Sequence, residues 1–437
     1  MEVSTSGSTA STIRRPAGRR DYRFSRVNEA PSQPLQTSRP DRASHASLDA
    51  VLGDALREID AAGLRREIRE FRRLSGGRLI VDGREALDFA SNDYLGLATD
   101  RRLANAMADA ASSAGTGSGA ARLITGTHPL HVQLEHALAK LVGTESALLF
   151  SSGYAANVAV ISALVGEGDV VYSDALAHAS LIDGCRLSKA RICIVPHGDV
   201  DSLERMLVAN SAIARRSLIV TEGIYSMDGD RAPLDRLVSL AHRFGAWLML
   251  DDAHAIGVTG REGRGSAAWW GLERRPEITV GTLGKAFGTA GAFACGSRTL
   301  VDFLRHRGRS FVFSTAPAPP VAAAAIAAVG IARGEEWRRE RLRESARTIR
   351  MRLRAIGCDP LGDEDSAIVP VPLGDPRRTM RVASKLEREG FIVGAIRPPT
   401  VPSGTSRLRI TLSAAHEADE VERLCAALAS ALAEDEG

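Results

Sequence analysis

The chain has 437 residues, 44% of them apolar and 25% charged, the balance of an ordinary globular enzyme with core enough for about two or three domains. Its 56 basic residues nearly match its 53 acidic ones, so a net charge of +3 gives no reason to expect nucleic acid or a membrane as partner. Five cysteines without a C-x-x-C or a Cys/His spacing argue against a metal framework, read as core thiols and suit a reducing, cytoplasmic setting.

Residues 1–45 hold eight arginines, four acids and four prolines with no apolar periodicity, which predicts a disordered extension. An Arg- and Ser-rich, acid-poor start is also how an organelle transit peptide reads. From Ser47 the pattern changes: Leu48, Val51, Leu52, Leu56 and Ile59 recur at helical spacing behind a capping serine, so 46–95 is predicted as an N-terminal helical segment. Seven short apolar runs follow, at 147–150, 169–172, 191–195, 218–221, 246–250, 278–281 and 292–295, separated by helix-length stretches. They predict an α/β fold, with a large domain over 96–335 built on a seven-stranded, mainly parallel sheet covered on both faces. Val321 to Ala332, after Pro319-Pro320, predicts a buried helix too short to span a bilayer. Residues 336–437 turn to charged helices, strands at 367–372, 391–396 and 407–412, and a last helix with Val421, Leu424, Cys425, Leu428 and Leu432 on one face. This predicts a smaller α+β domain.

Chemistry-bearing motifs lie where these strands end. Thr279 to Gly288 sets Lys285 between small residues after an apolar run, as a lysine is presented for a Schiff base. Trp247 to His254 ends a buried strand on Asp251 with His254 three residues on. Ser151 to Asn157 reads as a small-residue helix start whose Gly153 and Tyr154 N–H groups suit a phosphate. Amine, pyridinium partner and phosphate cradle are what pyridoxal 5′-phosphate (PLP) needs. His178 is placed to stack on such a ring, His254 to donate to its phenolic oxygen, and Thr282 and Ser226 to add polar contacts. Each has a plainer reading: Asp251 or Asp252 as a helix cap, Asp228-Gly229 as a turn, a histidine as packing. Gly115 to Ala120 fits the G-x-G-x-x-G/A dinucleotide pattern, but a helix rather than a strand is predicted before it, so its glycines read as close backbone approach to a ligand.

Taken in order, Ser91–Gly96, Ser152–Asn157, His178–Leu181, Thr221–Asp230, Asp251–His254, Thr282–Lys285 and Ile396–Pro402 resemble the α-oxoamine synthases, over residues 48–434. The resemblance implies a PLP-dependent transferase of fold type I acting as a homodimer, with no metal. Lys285, His178, Asp251 and His254 would be catalytic: Lys285 linked to the cofactor, Asp251 on its pyridinium, His178 on its ring and His254, with Ser226, against it. Gly153, Tyr154 and Thr282 would hold the phosphate, and Ser314 would reach the phosphate of the neighbouring subunit. Arg409 matches the amino-acid carboxylate clamp, and Arg65, Asn92 and Thr400 match substrate contacts. Ile396–Pro402 and Thr411–His416 look most like the branch that joins L-alanine to pimeloyl-CoA or pimeloyl-acyl carrier protein in biotin biosynthesis. Sister branches use glycine or serine with other acyl-CoA thioesters, and non-catalytic partner subunits lack the lysine that Lys285 supplies here. Two features depart from the pattern: the N-terminal extension, and Ala255-Ile256 where the family has Gly-Thr, which would add bulk beside the cofactor.

Overall fold

The computed structural model describes residues 47–436. The predicted disordered extension, residues 1–45, therefore lies outside the described residues. The first helix is Leu48–Ala61, whose first turn Ser47 caps through Ala50 N at 3.2 Å. That helix ends the first of two units; Ala62–Gly437 form the second.

The predicted helical segment 46–95 is helical only to Ala61. Beyond it come three strands, β1 (Arg72–Arg73), β2 (Arg78–Val81) and β3 (Arg84–Phe89). The reason is local: Asp82-Gly83 closes a hairpin between β2 and β3, with both residues at positive φ.

Seven strands follow: β4 (Ser146–Phe150), β5 (Val170–Asp174), β6 (Arg191–Val195), β7 (Ser217–Glu222), β8 (Trp247–Asp251), β9 (Ile278–Thr282) and β10 (Ala292–Gly296). They form one sheet in the order β4-β10-β9-β8-β7-β5-β6, in which β10 is antiparallel to both neighbours and β9, β8, β7, β5 and β6 pair in parallel. Helices cover both faces, which is why runs such as Leu218-Ile219-Val220 and Leu248-Met249-Leu250 are apolar without alternation and fully buried. The predicted seven-stranded α/β sheet is thus present.

A second sheet, in the order β1-β2-β3-β12-β13-β11, is completed by β11 (Ile368–Gly374), β12 (Phe391–Ile396) and β13 (Ser406–Thr411). β3 pairs with β12 in parallel, so residues from before the large sheet and after it share one layer. The alanine-rich helix runs Pro319–Gly334 with its prolines in the first turn, and its inner alanines are buried. Among the described residues no helix is long and apolar enough to cross a membrane. The cysteines are all free; Cys185, Cys295 and Cys425 are buried, whereas Cys193 and Cys358 are only half-buried, a correction to their reading as core thiols.

Two polar devices lock the layers. Arg122 makes a buried two-pronged pair with Glu135 at 2.9 and 3.1 Å, and Glu135 also accepts from Leu149 N, fixing the helix Pro129–Val142 on β4. Ser413 donates to Asp93 O at 2.6 Å and Ala414 N to Tyr94 O at 2.7 Å, fastening the turn at residues 92–94 to the end of β13.

The turn after Lys285 depends on Gly288, which has φ 60° and donates to Lys285 O at 2.9 Å. A Cβ there would stand 2.4 Å from Ala98 N and 2.5 Å from Leu97 C, both backbone atoms. Gly288→Ala should therefore cost about 2 kcal/mol or more in urea unfolding, from strain and overpacking together.

Candidate active site

The C-terminal ends of the parallel strands carry the charged groups. β5 ends on Asp174, β7 on Glu222, β8 on Asp251, and β9 on Thr282 just before Lys285. After β4, Ser152 caps the helix Gly153–Leu164 by accepting from Ala155 N at 3.1 Å. The first-turn N–H groups of Gly153 and Tyr154 lie at the positive end of the helix, and nothing stands within 4 Å of where a Gly153 Cβ would be. Thr282 Oγ1 donates to Gly291 O at 3.2 Å and accepts from Gly284 N at 3.3 Å.

Asp251 is held from two sides: Asn157 Nδ2 donates to Oδ2 at 2.6 Å and Ala253 N to Oδ1 at 3.1 Å. The same Asn157 amide donates to Ser180 Oγ at 2.8 Å, and Ser180 Oγ lies 2.8 Å from His178 Nδ1. His178 caps the helix Ala179–Ser188 through Ser180 N and keeps its ring exposed. One network thus orients both the carboxylate and the imidazole.

Lys285 Nζ lies 2.8 Å from His254 Nε2, and His254 Nδ1 lies 2.6 Å from the Tyr94 hydroxyl. Burial holds the Lys285 amine below its usual value, Asp251 and Glu222 pull it up, and Arg409 adds to the lowering. Burial, with Lys285, Arg409 and His178 nearby, holds His254 well below the usual histidine range, so it is neutral. Glu222 is pushed up to about 8 by burial and by Asp251, and it accepts from His178 N at 2.7 Å and Ser226 N at 3.3 Å.

Arg409, buried on β13, donates to Ser226 O at 2.6 Å, Thr411 Oγ1 at 2.8 Å and Asn92 Oδ1 at 3.1 Å. The structure therefore brings Lys285, His254, Asp251, His178, Ser226, Asn92 and Arg409 into one network or its immediate neighbourhood. Arg65 and Thr400 belong to another cluster: Arg397 donates to Gly63 O at 2.6 Å and Arg65 O at 3.1 Å, and Arg66 donates to Thr400 Oγ1 at 3.2 Å. Ser314 is half-buried beside the bridge between Ala121 and Thr315.

The residues present fit PLP. The amine has its pKa lowered, Asp251 spends one oxygen on a side-chain donor and one on a backbone donor, and an open helix N-terminus follows β4 of the same sheet. Among the described residues no three His, Cys, Asp or Glu group as a metal site. The segment Gly115–Ala120 follows the helix Arg101–Ala114, not a strand, so it lacks the dinucleotide context. Ala255 and Ile256 are buried in the core, and Ile256 crowds Gly281 and Gly265. The bulk expected beside the cofactor goes into packing instead.

Sequence reasoning missed four residues. Asn157, Tyr94 and Glu222 sit inside quoted motifs, but their partners are remote in sequence. His197 had no motif: it lies 2.9 Å from Asp174 and 2.9 Å from Asp230, and those carboxylates push it up to about 10. It thereby ties the loop leading to His178 to the turn that carries Ser226. The only legible signal was a histidine beside Gly198-Asp199 at a strand end.

Asn157→Ala should weaken PLP retention roughly 10- to 100-fold in an absorbance titration, since Asp251 loses its one side-chain donor. His197→Gln should cost about 1–3 kcal/mol in urea unfolding at pH 6. Because the folded value is raised, that contribution is full below about pH 6.5 and is lost as pH rises through about 10, so wild type and variant should converge above that.

Residues 84–428 match the family described as aminotransferase class I and II. The chain is 48% identical over 388 residues to an 8-amino-7-oxononanoate synthase of Alkalilimnicola ehrlichii, covering 88% of this chain and 98% of that one. A serine palmitoyltransferase structure from S. paucimobilis with PLP bound superposes with TM-score 0.84 at 31% identity, over 89% of this chain and 98% of that one. An 8-amino-7-oxononanoate synthase structure from Francisella tularensis gives TM-score 0.70 at 28% identity, over 80% and 99%. The chain belongs to the class I and II aminotransferase family of PLP-dependent, fold type I enzymes, in the α-oxoamine synthase branch with the 8-amino-7-oxononanoate synthases.

Proposed function

We propose that this enzyme condenses L-alanine with a pimeloyl thioester, giving 8-amino-7-oxononanoate, carbon dioxide and the free thiol carrier, in biotin biosynthesis. The observation that carries the reading is the buried Lys285 amine between His254 and the acids Asp251 and Glu222, with the Arg409 fork in the same network. The identity of 48% across nearly the whole of a relative named for this reaction supports the choice of alanine.

In this reading Lys285 holds PLP covalently, Asp251 pairs with its pyridinium, and His178, oriented by Ser180, lies against its ring. His254 and Ser226 contact it, and Gly153, Tyr154 and Thr282 hold its phosphate. Bound PLP supplies an electron sink for negative charge at the amino-acid Cα. Arg409 and Asn92 hold the alanine carboxylate, a planar two-pronged donor being suited to it. The incoming amino group would displace Lys285 from the cofactor, and the freed amine, kept partly neutral by burial, takes the Cα proton. The Cα then bonds to the thioester carbonyl carbon, the C–S bond breaks, and the sulfur leaves with the carrier. The carboxylate departs as carbon dioxide, and Lys285 returns a proton to the carbon it left.

Arg65 and Thr400 belong to the acyl side, where the carrier is coenzyme A or acyl carrier protein. We infer a homodimer in which Ser314 reaches the partner's phosphate site. Exposed Phe313 at 73% and Ile124 at 76% near Ser314 support a covering subunit. The domain limits 96–335 and 336–437 stand as part of the proposal, with β1–β3 added to the smaller domain by sheet pairing. The five free cysteines suit a cytoplasmic enzyme.

A second reading, a sister enzyme using serine or glycine, draws on the higher TM-score of the serine palmitoyltransferase, 0.84 against 0.70. It shares the same machinery, so amino-acid response separates the two. L-Alanine should perturb the PLP absorbance, and carbon dioxide release should require pimeloyl-CoA. A preference for serine or glycine would move the enzyme to a sister activity. Lys285→Ala should lower turnover by ~1,000-fold or more while PLP still binds noncovalently.

A further inference from the structure

Tyr94 is buried between two parts of the site, His254 with Lys285 on one side and Asn92 with Arg409 on the other. Its hydroxyl lies 2.6 Å from His254 Nδ1 and donates to Asn92 Oδ1 at 3.2 Å. Beyond His254 is the Lys285 amine at 2.8 Å, and Asn92 Oδ1 also accepts from Arg409 at 3.1 Å. The result is an unbroken hydrogen-bonded chain, Lys285–His254–Tyr94–Asn92–Arg409.

Such a chain has two directions. When Lys285 is protonated it donates to His254 Nε2, so the imidazole hydrogen sits on Nδ1 and donates to the Tyr94 oxygen, whose own hydrogen must go to Asn92 Oδ1. When Lys285 is neutral, Nε2–H can donate to the amine, Nδ1 accepts from Tyr94, and Asn92 keeps only Arg409. A group that draws Arg409 away from Asn92 frees that oxygen for Tyr94 and favours the first direction. We propose that Tyr94 is a positioning residue that couples carboxylate occupancy at Arg409 and Asn92 to the proton affinity of Lys285 through the tautomer of His254.

The consequence suits a reaction that removes a proton from Cα, loses carbon dioxide and then adds a proton back. While the carboxylate is present Lys285 is the stronger base, as proton removal needs. Once carbon dioxide has left, Arg409 returns to Asn92, the chain reverses, and Lys285 is the stronger acid, as proton return needs. The Cα proton passes to Nζ and a proton passes from Nζ to carbon, so the carbon balances on Lys285 alone, and the departing thiolate takes its proton from water. The proposal rests on the reading of Arg409 and Asn92 as the carboxylate site.

The charges facing this chain are accounted for. Asp251 and Glu222 raise the amine, Arg409 lowers it, and His178 faces His254. Across a cavity of about 310 Å³ behind Tyr94 and His254, Arg339 and Arg343 pair with Glu336, Arg231 with Asp363, and Asp365 with Arg347. Glu336 serves two arginines, so this wall keeps a surplus of one positive charge, and Arg261, also in the wall, pairs with Glu262.

The test uses the full-length chain freed of cofactor, with propionate as an amine-free carboxylate probe. The rate of PLP capture is followed by absorbance against pH, since only the neutral amine reacts. In the wild type, propionate should raise the midpoint by about half a pH unit. In Tyr94→Phe, which keeps the ring and removes the hydroxyl, less than half of that shift should remain, the rest being charge acting through space. Asn92→Ala, which leaves Tyr94 and its packing intact, should show the same loss. In the holoenzyme without thioester, α-deuterium exchange into L-alanine should slow by about tenfold in Tyr94→Phe, with the KM for alanine within about twofold. An equal propionate shift in wild type and both variants would overturn the proposal. So would the lack of any shift in a wild type that captures PLP and turns over alanine, and that result would leave the proposed function standing. Failure of the wild type to capture PLP would overturn both.

Discussion

A lysine amine removed from water is the constraint around which the site is arranged. An isolated buried ammonium is too costly to persist, and an amine paired tightly to one carboxylate would hold its proton too firmly to act as nucleophile or base. Here Asp251 and Glu222 raise the proton affinity of Lys285 while burial and Arg409 lower it, and neutral His254 takes the hydrogen bond. Glu222 does not simply add a second full charge, because burial and Asp251 push its own pKa to about 8. Near neutral pH Glu222 therefore carries only a small part of a full charge beside the lysine.

The frame needed for this balance comes from two sheets. The parallel strands end together, so Glu222 and Asp251 are register partners on neighbouring strands and their side chains emerge at one edge. That edge concentrates negative charge, and the loops beyond it would splay without cross-ties. His197 bridges Asp174 and Asp230, and Glu222 bridges the backbone of His178 and Ser226, so two latches span the same pair of loops. The second sheet delivers Arg409 from β13 and anchors Asn92 and Tyr94 through Ser413 and Ala414. The cation and the amine it tunes thus come from elements more than a hundred residues apart in sequence.

Much of this was legible in the chain. Apolar runs of strand length located all seven strands of the large sheet, because strands buried on both faces are apolar throughout; the edge strand β6, exposed at Ile192 and Ile194, is the exception. Strand ends bearing Asp251 and Lys285 were readable for the same reason. What was not legible depended on remote partners. The stretch after Ala61 is predicted to be helical, yet a hairpin at Asp82-Gly83 sets up β3, which then pairs with β12 some three hundred residues later. Asn157 reads as one polar residue in a small-residue helix, and only the fold shows its amide shared between Asp251 and Ser180. Ile256 was expected to crowd the cofactor, but Gly281 and Gly265 leave it room in the core, a complementarity that no local pattern announces.

The division between fold and substrate choice follows from the same geometry. In the proposed function the amine, its acids and the arginine fork would perform steps common to any amino acid with an α-proton and a carboxylate, so they carry little information about which one is used. This is why a serine palmitoyltransferase at 31% identity superposes well on a chain that is 48% identical to an 8-amino-7-oxononanoate synthase. Selection must act where side-chain and acyl bulk are accommodated. Since Ile256 is turned into the core, the Gly-Thr to Ala-Ile departure does not add that bulk at the site. In the proposed function the cluster of Arg65, Arg66, Arg397 and Thr400, held by its own hydrogen bonds rather than by the lysine network, would be free to vary with the acyl chain without disturbing the proton chemistry.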